Sequence, residues 1–397
     1  MFHESSPLSD EANAGRADQP LSVGILLSGR EKFGPFYGGA LARWTYEVYS
    51  RLTDRLDTTV FGFPTDAADL YPLPHHASWS SRLCESISRV PVLRRYEDQV
   101  WLWSLMPRLR NLDVVHVQSR PQWVRHLRKL GYGGKIVLHL HNDHLGHWKA
   151  SWLDMLAPQV DAVVTVSSYM RDTFAPRSSA LAAKTRVIFN GVNTQLFFPR
   201  EELRQPKTIL FAGRFSQEKG VLELVKAFEI VRRTHPDAQL KIAGSTTFGS
   251  HVEDSYVKEV RAAARAVGGG NESGIEFLGY IHHDRELPAC FQQAAIFSSP
   301  SIFQEPFGLV NTEAMACATP VVASNRGGIP EVLGETGIVI DPEDIPAYAG
   351  ALCTLLSQPD YRAELGRATH ERCLRMFDWS VIAEEWIGLL KTLTDSR

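Results

Sequence analysis

The sequence contains no run of about 18 apolar residues, so no segment reads as a membrane span. It has no apolar signal core at its start; residues 1–19 are polar and acidic and read as a flexible tail. Cysteine is sparse. Cys84, Cys290, Cys317, Cys353 and Cys373 are odd in number and without close pairs, which excludes a disulfide framework or a zinc-cluster spacing and fits a reduced, cytoplasmic protein. A formal charge of -3 argues against bulk nucleic-acid binding. Short repeats and low-complexity tracts are also missing.

What is present is an α/β alternation that runs twice. The length of 397 residues favours two domains over one. Ser22–Leu27 reads as a buried strand, followed by a glycine-rich loop to Gly39 and an amphipathic helix over about 40–52. Further short, branched strands are expected at 59–63, 114–117, 136–140 and 162–166, the mark of a parallel sheet covered on both faces. Residues Pro199–Pro206 are charged and bracketed by prolines, and read as a linker. The pattern then restarts with a strand at Thr208–Gly213, a loop to Gly220 and a helix over 221–233 carrying Leu224, Phe228 and Val231 as an apolar stripe. Strands follow at 240–243, 275–278, 296–298 and 320–323. The domains expected are 20–198 and 207–376, with an amphipathic helix over 377–397 whose apolar side carries Trp386, Leu389 and Leu390.

The chemistry concentrates between Ser299 and Ala316. Glu305 and Glu313 are separated by seven residues around the start of a helix expected over 309–318, after the chain breaks at Pro306 and Gly308. Eight helical steps would set the two carboxylates about 80° apart, so Glu305 is placed in the approach loop and Glu313 on the second turn. Free amides and the positive helix end then face what Glu305 faces, a site able to hold an anion and a polyhydroxylated group together. Arg214 and Lys219, in the loop Gly213–Gly220 at the end of a strand, offer two cations for a diphosphate. Taken alone, they read as solvated surface charges, the usual fate of Arg and Lys; the Glu305 segment is what gives them weight.

Gly213-Arg214 with Lys219-Gly220, Ala243-Gly244, Leu278-Gly279-Tyr280, Glu305-Pro306-Phe307-Gly308 through Glu313-Ala314, and Gly327-Gly328-Ile329-Pro330-Glu331 together resemble the retaining glycosyltransferases of family four. The resemblance covers nearly all of the second domain and is most similar to the spore-coat-type transferases. It implies the GT-B fold, two Rossmann-like domains facing a central cleft, with the last helix crossing back to the first domain. It further implies that Arg214 and Lys219 hold the donor diphosphate, that Glu305 accepts from sugar hydroxyls, and that the amides of Phe307, Gly308, Leu309 and Val310 meet phosphate and sugar. Glu313 would take the ribose, Gly213, Gly244, Tyr280 and Ile281 would line the donor site and its base pocket, and the Gly38-Gly39 loop would approach the phosphates. The resemblance gives Asn311 no role.

His139-Leu140-His141-Asn142-Asp143-His144 follows an apolar strand and admits two readings. His-x-His-x-Asp-His is also a zinc-hydrolase signature, since imidazole and carboxylate at this spacing can ligate zinc. Within the resemblance, the same strand end delivers His141 toward the donor sugar, with Asp143 as an acceptor-side base or orienting group and His139 and His144 bonded locally. Residues 82–130 carry ten Arg/Lys (82, 89, 94, 95, 108, 110, 120, 125, 128, 129) against four acids, interleaved with Trp101, Trp103, Leu105, Met106 and Trp123. They read either as a face for the inner membrane surface or an anionic acceptor, or as helices packed through tryptophan and solvated through arginine.

The expectation is transfer of a sugar from a UDP- or GDP-sugar to an acceptor hydroxyl, sugar- or lipid-linked, in polysaccharide or glycoconjugate biosynthesis. Retention of configuration and independence from metal ions and other cofactors are expected, with Arg214, Lys219 and the helix end stabilising the leaving diphosphate. The alternatives are the zinc hydrolase and a non-catalytic nucleotide-sugar-binding subunit, since one fold can serve either role.

Overall fold

A computed structural model of the chain describes residues 20–27, 31–35, 39–88, 96–244, 255–267 and 274–395, the side chains at 82, 85 and 88 excepted. The expected tail, Gly38, Arg89, Arg94 and Arg95 lie outside the described residues, as does the side chain of Arg82. Contacts divide the chain into two compact units. One comprises the chain through Leu140, Ala150–Val164 and the segment from Trp386 onward; the other comprises His141–Lys149 and Thr165–Glu385.

The first sheet has seven strands: β1 (Leu21–Leu26), β2 (Leu56–Gly62), β3 (His75–Ala77), β4 (Val114–Gln118), β5 (Lys135–Leu140), β6 (Ala162–Thr165) and β7 (Thr185–Val187). Their spatial order is β3-β2-β1-β4-β5-β6-β7. β1 pairs in parallel with both β2 and β4, Leu21 opposite Leu56 and Val23 opposite Val114. Every residue of β4 is buried, which is why the central strands read as unbroken apolar runs.

The second sheet has six strands: β8 (Gln205–Ala212), β9 (Gln239–Ala243), β10 (Ile275–Gly279), β11 (Ala294–Ser299), β12 (Val321–Ser324) and β13 (Ile338–Ile340), ordered β10-β9-β8-β11-β12-β13. Winding direction reverses between β1 and β4 in one sheet and between β8 and β11 in the other. In open parallel sheets, such a switch point at the carboxyl ends of the strands is where a crevice forms.

The expected helices are present with adjusted ends: Ala40–Tyr49, Val221–Thr234 and Leu309–Ala316. Leu224, Phe228 and Val231 are fully buried, confirming the stripe. The edge strands β3, β7 and β13, three residues each, carry no pattern long enough to read from sequence. Sheet membership changes between β7 and β8, across the interval where the linker was placed, whereas packing groups residues 165–198 with the second unit.

The linker itself is not loose. Its Arg204, 11% exposed in the side chain, donates to Ala294 O, Thr319 Oγ1 and Cys317 O, and β8 begins at Gln205.

The final helix spans Trp379–Asp395, and Ile382, Ala383, Trp386, Ile387 and Leu390 form its buried stripe, with Leu389 half-buried. Trp386 belongs to the first unit, so this helix crosses back as the resemblance implies. Its indole packs edge-on against Trp44 (4.9 Å) and Tyr49 (6.3 Å) and against the His116 ring (4.5 Å), and Nε1 donates to Tyr49 Oη at 3.0 Å.

Candidate functional site

The two chemistry-bearing loops of the second unit leave adjacent strands at its switch point, Gly213–Gly220 after β8 and 300–308 after β11. A main-chain staple joins them. The carbonyl of Glu218 accepts from Ile302 N (3.0 Å), Phe303 N (3.2 Å) and Ser301 Oγ (3.1 Å). This fixes Lys219 beside Glu305, and Lys219 Nζ donates to Glu305 Oε2. Their side chains are 21% and 18% exposed, so the pair contributes only about 0–1 kcal/mol to stability. Arg214 is exposed and makes no ion pair among the described residues.

The Gly327-Gly328 turn braces Glu305 from behind. Gly328 N donates to Glu305 O at 2.7 Å and Gly327 N to Gln304 Oε1 at 2.7 Å. At φ 61°, Gly327 lies in the left-handed region, and a Cβ there would overlap the Glu305 carbonyl. Gly308, at φ 86°, caps the Leu309–Ala316 helix without a side chain. That helix leaves first-turn amides, including those of half-buried Leu309 and Val310, at its open end, while Phe307 is buried behind them. Ser167 and Ser168 were not singled out from sequence, yet they hold the same assembly. Ser167 Oγ donates to Pro306 O (2.6 Å) and Ser168 N to Glu331 Oε2 (2.7 Å). From sequence, the pair signals only a helix N-cap.

Glu313 stands on the second turn, as expected, but is only 6% exposed. Its Oε1 accepts from Nε2 of His283 at 2.8 Å, and the other ring nitrogen donates to Asp284 Oδ1 at 2.6 Å. Sequence reading gave His283 no part in the site; nothing local marks a contact with a residue thirty positions away. Gly213 and Gly244 are linked through strand ends, Gly213 N to Ala243 O (3.0 Å) and Gly244 N to Gly279 O (2.7 Å), followed by 47%-exposed Tyr280 and half-buried Ile281.

His141 follows β5 in the second unit. Burial drives its pKa down to about 3, opposed by a hydrogen bond with Asn190 and aided by nearby His144, so the ring is neutral at ordinary pH. Asp143 is engaged in shaping its own loop: Oδ1 accepts from Gly146 N (2.6 Å) and Thr173 Oγ1 (3.1 Å).

The zinc reading is overturned by where the four motif residues go. His139 is fully buried in the first unit, its ring against Trp44 at 4.6 Å, while His144 is exposed on a turn. Among the described residues, no group of three or more His, Cys, Asp or Glu could hold a metal ion. In the first unit, the helix that starts after Gly39 already has a carboxyl group at its amino end. Glu31 Oε1 accepts from Ala42 N at 2.8 Å, and burial raises the Glu31 pKa.

The basic region divides. Trp101, Leu105, Met106 and Trp123 are buried, with Trp101 against Trp123 at 5.0 Å, and Arg128 is consumed by Asp161 and three carbonyls. Trp103 alone faces outward, 59% exposed, edge-to-face with 67%-exposed Trp79 at 6.5 Å.

Comparison with known proteins gives two family matches, Glycosyltransferase Family 4 over residues 37–196 and Glycosyl transferases group 1 over residues 193–372. Spore coat protein SA of Bacillus subtilis is 31% identical over 297 residues, 70% of this chain and 78% of that protein. The α-maltose-1-phosphate synthase of Mycobacterium tuberculosis is 32% identical over 404 residues, 92% of this chain and 98% of the relative. Among solved structures, Anabaena HepE in complex with UDP and glucose superposes with a TM-score of 0.69 at 20% identity, over 94% of this chain and all of that one.

Proposed function

The chain belongs to the group 1, family 4 glycosyltransferases of the GT-B fold, and from that premise we propose that it moves a sugar from a nucleoside-diphosphate donor to an acceptor hydroxyl with retention of configuration. One observation carries the proposal. The Glu218 carbonyl staple sets a cation and a carboxylate side by side at the open end of the Leu309–Ala316 helix, on the switch point of the second sheet. A diphosphate and a hydroxylated ring joined in one ligand match that arrangement of charge.

In the proposed reaction, Arg214, Lys219 and the amides of Leu309 and Val310 bind the donor diphosphate. Negative charge grows on that group as the anomeric C–O bond breaks, and the fixed cations and amides stabilise it without reorganising. Glu305, held by Gly328, accepts from sugar hydroxyls and orients the ring. Glu313 receives the ribose. The neutral imidazole of His141 suits it to accept a hydrogen bond or to face positive charge developing at the anomeric carbon, because a protonated ring would oppose that charge. The acceptor hydroxyl attacks on the face the phosphate leaves, and its proton passes to a leaving-phosphate oxygen. No metal ion takes part in this scheme.

UDP-glucose is the first donor to test, since HepE is solved with UDP and glucose and relatives include an α-maltose-1-phosphate synthase. Thermal shift across UDP- and GDP-sugars identifies the donor, because a ligand stabilises by its concentration relative to its affinity. Transfer from the radiolabelled donor, with and without EDTA, followed by proton NMR of the product anomer, tests turnover, metal independence and retention in turn. A donor that binds with neither transfer nor hydrolysis would instead indicate a binding subunit.

A further inference from the structure

Glu313 is a buried carboxylate of the site, 6% exposed. Oε1 is taken by His283 Nε2, and Oε2 is buried with no hydrogen-bond partner among the described residues. An ionised carboxylate only accepts, so bonds from both ring nitrogens of His283 to Glu313 and Asp284 form together only when both nitrogens carry hydrogen. The ring thus lies between two carboxylates, one of them buried. It is also held in place. Phe197 lies edge-on to it at 5.4 Å, and the preceding residue is tied down by His282 N to Glu286 Oε2 at 2.8 Å. A buried acceptor without a donor carries its full desolvation cost, so a hydroxyl that reaches Oε2 makes a strong, charge-assisted bond.

We propose that His283 is a positioning residue for nucleotide recognition: it fixes Oε1 of Glu313, Asp284 fixes the ring, and Oε2 is thereby set as the acceptor for a ribose hydroxyl. This rests on the reading that Glu313 meets the ribose and adds what orients it. The ligand chemistry is a vicinal diol on a nucleoside diphosphate, and the contribution of His283 is expressed only when that diol is present.

Calorimetry on the full chain with UDP, GDP and their 2′-deoxy forms tests it. Wild type is expected to bind the preferred ribonucleotide about tenfold tighter than its deoxy form, the size of one charge-assisted hydrogen bond. His283→Ala should bring that ratio close to one while leaving deoxynucleotide affinity nearly unchanged, and His283→Gln, whose amide can still donate to Glu313, should restore most of it. Asp284→Ala, at a side chain 37% exposed, should lower the ratio partway, and it decides the matter if His283→Ala does not fold. A wild-type ratio near one, or no binding of either nucleotide, removes the Glu313 reading and this inference with it. A normal wild-type ratio that persists in His283→Ala, or an equal loss for both nucleotide forms, overturns the positioning role and leaves the Glu313 reading standing.

Discussion

Lys219 donates to Glu305, so two side chains assigned to different parts of one donor are each other's partner. A diphosphate that takes Lys219 and a sugar hydroxyl that takes Glu305 replace one ion pair with two ligand contacts. Glu305→Ala should cut transfer by roughly 10²–10³ while nucleotide affinity changes little, and Lys219→Ala should weaken nucleotide binding itself. Both variants should lie within about 1 kcal/mol of wild type in urea unfolding, as befits a partly exposed pair. Separate measurement of turnover and nucleotide Kd checks the division; near-normal transfer by Glu305→Ala would contradict it.

Gly327→Ala should disable the site from behind. The added Cβ collides with main-chain atoms of Glu305 and must also sit at φ 61°. Neither can be relieved by turning a side chain, so a loss of about 2 kcal/mol or more is expected, with activity falling alongside. A variant with wild-type melting temperature and turnover would show that the turn is not a brace.

His141 predicts an acid sensitivity. Its folded pKa lies below the ordinary value of 6.5, so from about pH 6.5 down to pH 3 the unfolded chain binds the extra proton and stability falls as pH falls. Between pH 7 and 5 the loss from this group is up to about 2 kcal/mol. His141→Gln should flatten that segment of the stability curve, measured by urea unfolding at the two pH values. Transfer by the wild type should show no inflection attributable to His141 above pH 5.

Trp386→Ala should cost about 3–5 kcal/mol, the usual range for emptying a fully buried indole site. Trp386→Phe should recover much of the packing but not the bond to Tyr49. Denaturant midpoints of the two variants, compared with wild type, test the split.

Long buried strands and the Leu224–Phe228–Val231 stripe were legible because burial on a sheet or helix imposes a period on the sequence. Glu305 and Glu313 were placed correctly on loop and second turn because Pro306 and Gly308 punctuate the chain. What escaped was held by main-chain atoms or by distant partners. Two of the three donors to the Glu218 carbonyl are main-chain amides, Ser167 meets Pro306 across 139 positions, and Arg204 looks like a linker charge until its carbonyl partners are seen. The His-x-His-x-Asp-His spacing left two readings open because it does not show that alternate residues at a strand end part company once the strand stops: His139 stays in the aromatic core, and Asp143 closes its own loop.

The first unit closes its aromatic core on Trp386, although the rest of that unit is complete by Val164. Domains ordinarily fold in the order they leave the ribosome. Here the socket of Trp44, Tyr49, His116 and His139 must wait through more than two hundred further residues for its last ring. The aromatic core of the first unit therefore depends on a ring supplied late in the chain: a truncation before Trp386 that spares every residue of the donor loops still leaves that core unfinished.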